Sequence, residues 1–172
     1  TIAVYSGTAE EEVKGAVVNG LGLKCTDADA GKNQVIHYRV HPDFGSVPFE
    51  FADAAVPQIT AKSKLDHDTS PTSYEFKVTA FNPHDQLKQA FDAVVKVAIT
   101  DTNDNAPEFL YKLHRKPVNE SLKVGAVVVT QKELSVSDKD SKSKLQVTIA
   151  KGNDAFKFAL SGKGDLVLAD KI

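Results

Sequence analysis

One cysteine, no tryptophan, a small net charge and no long apolar run: each shortage closes off a class of proteins. Cys25 stands alone, so no intrachain disulfide can form and a disulfide-stapled scaffold is excluded. A formal charge of −2 over 172 residues gives no field that would gather nucleic acid or a membrane surface. No stretch approaches the length of a membrane-spanning helix, and no basic start followed by an apolar segment marks a signal peptide. A processed or excised fragment beginning at Thr1 is therefore expected. Ser, His and Asp occur without a recognisable nucleophile motif, and His37 and His41 read as isolated surface histidines, so no enzymatic role is expected.

Apolar residues make up 41% of the chain, enough to build cores, and seven prolines interrupt them. Short β-prone stretches follow one another: Ile2 to Tyr5, Ala16 to Thr26, Val35 to Val40, Phe49 to Phe51, Gln58 to Lys62, Tyr74 to Phe81 and Phe91 to Thr100. Turn formers such as Asn19-Gly20, Pro42-Asp43, Pro57 and Ser70-Pro71 separate them. That spacing predicts about seven strands in an immunoglobulin-like antiparallel sandwich. Only Ala9 to Lys14 has helical character. Leu21, Leu23 and Cys25 alternate with Gly22 and Lys24, which puts the sulfur on the inner face of a strand as a small hydrophobe.

The stretch with the most chemistry is Asp101-Thr102-Asn103-Asp104-Asn105-Ala106-Pro107-Glu108-Phe109. It places carboxylate or amide side chains at four of five positions before a proline stops any regular structure. Two carboxylates and two amides are hard ligands, and Ca²⁺ takes roughly six to eight oxygens at about 2.3–2.6 Å, so other segments must fold in to complete such a site. An EF-hand is excluded, because no glycine stands at the sixth position and no glutamate at the twelfth. The stretch reads as a calcium-binding hinge between two domains.

Beyond the hinge the pattern starts over. Glu120 to Val128 has the form of Glu10 to Val18, with a glutamate five residues before the glycine in both. Asp138-Lys139-Asp140 stands 13 residues after Gly125, and Asp27-Ala28-Asp29 stands 12 after Gly15.

Together these motifs resemble two consecutive extracellular cadherin repeats. The likeness rests on Asp101 to Phe109, on the Asp27 to Asn33 turn followed by Ile36 and Tyr38, on Leu65-Asp66-His67-Asp68 where that family usually has Leu-Asp-Arg-Glu, and on Thr79-Ala80-Phe81-Asn82. It implies an all-β fold: a seven-stranded antiparallel Greek-key sandwich over residues 1–101, a calcium-binding linker over 102–107, and a second repeat over 108–172. The second repeat has no equivalent of Tyr74 to Ala80 or Phe91 to Thr100, so it is expected to be incomplete at its C-terminus, lacking its last two strands.

The resemblance further implies two to three Ca²⁺ ions at the junction. The first repeat would contribute Glu10 or Glu11, with Glu11 preferred, together with Asp66 and Asp68. The linker would give Asp101, Asn103, Asp104 and the Asn105 carbonyl, and the second repeat Asp138 and Asp140. Some seven carboxylates would then crowd together, and each like-charge pair at 4 Å costs about 1 kcal/mol in water and about 4 at an effective dielectric of 20. Without a cation such a junction is splayed; with it, the angle between repeats is fixed. The affinity class expected is that of extracellular modules, roughly 10⁻⁴ to 10⁻³ M.

Asp27, Asp29, Asn33 and Asn82 would serve a site shared with a preceding repeat, weakened by Asn82 where an aspartate is usual. Ser141-Lys142-Ser143-Lys144 departs from the family pattern and sets two lysines beside the cation site. Asn119-Glu120-Ser121 has the pattern of a glycosylation acceptor, although a glycan there would crowd Glu120, a residue for the following junction.

The function implied is calcium-dependent cell–cell adhesion on the outer side of the plasma membrane, with other cadherin ectodomains as like or unlike partners. No nucleic acid is implied, and the membrane is reached only through a segment outside this stretch. Without tryptophan, exchange of a tryptophan-bearing N-terminal strand cannot occur here. The alternative is a calcium-independent ligand-binding or spacer module of a larger ectodomain.

Overall fold

The structure is a computed structural model and describes residues 2–84 and 90–172. Two compact units divide the chain, Thr1–Thr102 and Asn103–Ile172.

In the first unit the β-prone stretches become β1 (Ala3–Glu10), β2 (His37–Val40), β3 (Phe49–Phe51), β4 (Ile59–Ala61), β5 (Ser73–Phe81) and β6 (Ala90–Thr100). β1, β6, β5 and β2 lie side by side in that order as one sheet, and β3 and β4 form an antiparallel ribbon. Alternation decides the faces: along β6, Val95, Val97 and Ile99 are buried while Lys96 and Ala98 face out. Phe76 and Val78 of β5 bury the same face, and Phe49 and Ile59 close on them from the ribbon. The Phe49 ring stacks on Phe76 at 5.4 Å and meets Tyr74 edge-on at 5.4 Å. Burying each such side chain contributes about 1.5–3 kcal/mol.

Residues 16–19 tie the sheet to the ribbon. Thr8 of β1 exchanges hydrogen bonds with Asn19 at 2.9 and 2.8 Å, and Val18 donates to the Ile59 carbonyl at 2.9 Å. The crossing needs Gly7, since a Cβ there would fall 2.5 Å from the Asn19 carbonyl oxygen.

Three expectations change. Ala9 to Lys14 does not form a helix: Ala9 and Glu10 are the end of β1, because pairing with β6 through Ile99 and Thr100 overrides the helical preference of the glutamates. Ala16 to Thr26 is not a continuous strand and makes only isolated bridges, so six strands rather than seven are seen among the described residues. Nor is the arrangement wholly antiparallel, for β1 runs parallel to β6. Leu21, Leu23 and Cys25 do turn inward in alternation with Gly22 and Lys24, with Leu21 the most buried.

The second unit holds β7 (Glu108–Phe109), β8 (Val127–Val129), a four-residue helix α1 (Gln131–Leu134), β9 (Val136–Ser137), β10 (Phe158–Leu160) and β11 (Leu166–Leu168). β10, β11 and β8 make an antiparallel sheet, and β7 pairs with β9. A capping box starts α1, Thr130 and Glu133 each satisfying the other's backbone N–H. Three buried apolar residues, Val128, Val129 and Leu168, form the centre of this unit, against thirteen in the core cluster of the first unit among the described residues. The second unit therefore has far less buried apolar surface to stabilise it.

Candidate metal centre

Three consecutive glutamates leave β1 with different fates. Glu10 is still in register with Thr100 and exposed. Glu12 adopts φ 57° and turns out to meet Lys64 at 2.7 Å. Between them Glu11 is directed inward and is only 1% exposed.

A buried carboxylate must find donors, and Glu11 finds two main-chain N–H groups. Its Oε2 accepts from His67 at 2.5 Å and its Oε1 from Thr102 at 2.6 Å. The strand end, the 66–69 turn and the start of the linker are thus held on one side chain.

The turn is set by Asp66, whose Oδ1 accepts from the backbone N–H of Asp68 at 3.0 Å and of Thr69 at 2.9 Å. The Thr69 hydroxyl donates to its other oxygen. This brings ligand atoms of Glu11, Asp66 and Asp68 within 4.8 Å of one another, and likewise those of Glu11, His67 and Asp101. The His67 Nδ1 lies 3.9 Å from Asp68 Oδ1 and 3.8 Å from Asp101 Oδ1, with both aspartates largely buried. Glu10 belongs to no such cluster among the described residues.

In the second unit Asp140, 6% exposed, clips the linker to the 138–143 loop. Its Oδ2 accepts the main-chain N–H of Asn105 at 3.1 Å and its Oδ1 the Asn105 side-chain amide at 2.8 Å. The same amide donates to Asp104 Oδ1 at 2.8 Å. Asp138 Oδ1 accepts the Asp140 N–H at 3.0 Å, and the Ser143 hydroxyl reaches Asn103 Oδ1 at 3.4 Å.

Within the first unit the donors are carboxylates beside the His67 ring, and within the second they are carboxylates and the Asn103 amide oxygen, each set held on hydrogen-bonded turns. Hard oxygens of this kind suit a cation such as Ca²⁺. Sequence reasoning passed over two contributors. His67 supplies both a backbone donor to Glu11 and a ring beside two aspartates, and Thr102 supplies the second donor. The signal for the first was its position between Asp66 and Asp68; the second acts through its backbone and left no signal.

Elsewhere, Asp27 Oδ1 accepts from the Asp29 N–H at 2.9 Å and Asn82 Oδ1 from His84 at 2.8 Å, each a local turn. Asn33 lies in a short 3-10 turn, Gly31–Gln34, and its side chain is outside the described ones. His41 is not isolated: its Nδ1 accepts the Asp43 N–H at 3.3 Å and its Nε2 lies 3.8 Å from Asp92. His37 meets Phe81 edge-on at 6.0 Å. Asn119 Oδ1 accepts both the backbone N–H and the hydroxyl of Ser121, at 2.9 and 2.8 Å.

A scan against protein-family models finds no match. In sequence, the chain is 33% identical over 145 residues to protocadherin Fat 2 of Rattus norvegicus, covering 83% of this chain. It is 31% identical over 146 residues to cadherin EGF LAG seven-pass G-type receptor 3 of the same species, covering 85%. The chain belongs to the cadherin superfamily.

The cadherin fold is seen directly in solved structures. The protocadherin GammaB4 extracellular domain superposes with a TM-score of 0.76 at 20% identity, covering 100% of this chain and 29% of that one. Mouse cadherin-23 EC22-24 gives 0.71 at 22% identity, covering 99% and 52%. This cadherin chain spans only 3% and 4% of the lengths of the two curated relatives.

Proposed function

We propose that the chain is a tandem pair of extracellular cadherin repeats whose junction is made rigid by two to three Ca²⁺ ions, and that it serves calcium-dependent cell–cell adhesion from the outer side of the plasma membrane. The observation that carries this reading is Glu11. It fastens the Asp66–Asp68 turn and the start of the linker together inside the first repeat. One peptide bond further on, between Thr102 and Asn103, begins the segment that Asp140 clips inside the second.

Glu11, Asp66, Asp68 and Asp101 would hold the ions from the first repeat, and Asn103, Asp104, the Asn105 carbonyl, Asp138 and Asp140 from the second. The ions would supply positive charge that turns carboxylate repulsion into shared coordination. The chain's own part is to hold those oxygens in place beforehand, so that little ordering remains when a cation arrives. Asp27, Asp29 and Asn82 would serve a preceding repeat, and other cadherin ectodomains would be the partners. The small core of the second unit supports reading it as an incomplete repeat.

Small-angle scattering of the chain in millimolar Ca²⁺ and in excess chelator tests the reading. A longer, less variable particle with the ion is expected. Equal particles in both, with binding to cadherin ectodomains retained in chelator, would instead favour a calcium-independent module.

A further inference from the structure

Charge is divided unevenly between the units. Residues 1–102 hold 9 Lys and Arg against 14 Asp and Glu, a formal −5, whereas residues 103–172 hold 12 against 9, a formal +3. The densest cationic stretch is Lys112-Leu113-His114-Arg115-Lys116, every residue of it exposed.

His114, Arg115 and Lys116 of this stretch, with Tyr111, Val129 and Glu133, line a concavity of about 370 Å³, and Lys112 lies just outside its lining in the chain. Tyr111 and His114 meet edge-on at 5.7 Å, which presents an aromatic wall. The one carboxylate at the rim is already engaged: Glu133 accepts from Lys116 Nζ at 2.6 Å and from the Thr130 N–H and hydroxyl at 2.8 and 3.0 Å. No carboxylate pairs with Lys112 or Arg115 among the described residues.

We propose that the Tyr111–Lys116 groove binds a sulfated glycosaminoglycan chain. A flat, two-pronged guanidinium suits an oxyanion such as a sulfate, an ammonium beside it adds a second charge along an extended polyanion, and the aromatic wall offers an apolar face to a sugar ring. A nucleic acid fits less well. One tyrosine is not a series of stacking platforms, and the family's repeats stand outside the cell. The binding is separate from the metal centre and does not rest on it.

The test uses the full chain on immobilised heparin and in calorimetric titration with a heparan sulfate oligosaccharide, in Ca²⁺ and again in chelator. The variants are Lys112→Glu with Arg115→Glu, the neutral pair Lys112→Gln with Arg115→Gln, and as a charge-matched control Lys151→Glu with Lys163→Glu, two exposed lysines elsewhere on the unit. Wild type is expected to be retained at about 0.15 M salt. Both groove variants should lose about tenfold or more in affinity, the slope of log affinity against log salt should fall by roughly one to two, and the control should stay within about twofold. The proposal is overturned by equal weakening in groove and control variants, by no retention of wild type, or by equal wild-type binding to single-stranded DNA. Unchanged circular dichroism of the glutamine pair separates lost binding from lost folding.

Discussion

The carboxylate of Glu11 accepts the main-chain N–H of Thr102 at 2.6 Å, joining residues 91 apart in sequence. Together with the 2.5 Å bond from the His67 N–H, it makes one buried side chain the fastening for three segments.

Glu11→Ala should therefore weaken the first repeat even without calcium. It leaves two N–H groups without their acceptor, at about 1–3 kcal/mol for each one that stays buried. A loss of roughly 2–4 kcal/mol is expected in urea unfolding carried out in excess chelator. Glu10→Ala, at an exposed position of β1, should change stability by less than about 0.5 kcal/mol.

Asp140→Ala should release the linker from the second repeat. Hydrogen exchange is the direct measure: the Asn105 amide, bonded to Asp140 Oδ2 at 3.1 Å, should lose protection while Leu168, whose N–H bonds Ala126 at 3.0 Å, keeps its own.

Phe76→Ala should be the more severe change for the fold as a whole. Phe76 is fully buried against Phe49, and removal of such a ring costs about 3–5 kcal/mol. Calorimetry should show a lowered first-unit transition.

The Lys116 ammonium and the Thr130 donors hold the Glu133 carboxyl down at about 2. Because the folded value lies below the unfolded one of about 4.3, the contribution is present above that pH and is lost as pH falls toward about 2. An NMR titration of the Glu133 carboxyl carbon should give the low midpoint in wild type and a higher one in Lys116→Gln.

Much of the candidate metal centre was legible in the sequence because it depends on residue type. Asp101, Asn103, Asp104 and Asn105 declare oxygen chemistry wherever they fold, and Pro107 declares an end to regular structure. Glu11 is preferred over Glu10 from the sequence, but three identical residues leave the register open by one. That register is set by where β1 leaves β6 and by the positive φ at Glu12, neither of which a run of identical residues records. The same pairing explains the misread helix at Ala9 to Lys14, where local preference gives way to a neighbour ninety residues away. Parallel pairing of β1 was hidden for a related reason: alternation marks the faces of a strand and says nothing of its direction.

The most direct measurement is thermal unfolding of wild type and of Asp101→Asn in millimolar Ca²⁺ and in excess chelator. If the linker coordinates calcium, wild type should melt higher with the ion, by the stabilisation that ligand binding confers, about 2.7 kcal/mol when calcium is at about a hundred times its dissociation constant. Asp101→Asn should lose most of that rise. Equal melting of wild type in both conditions would contradict calcium coordination at this linker.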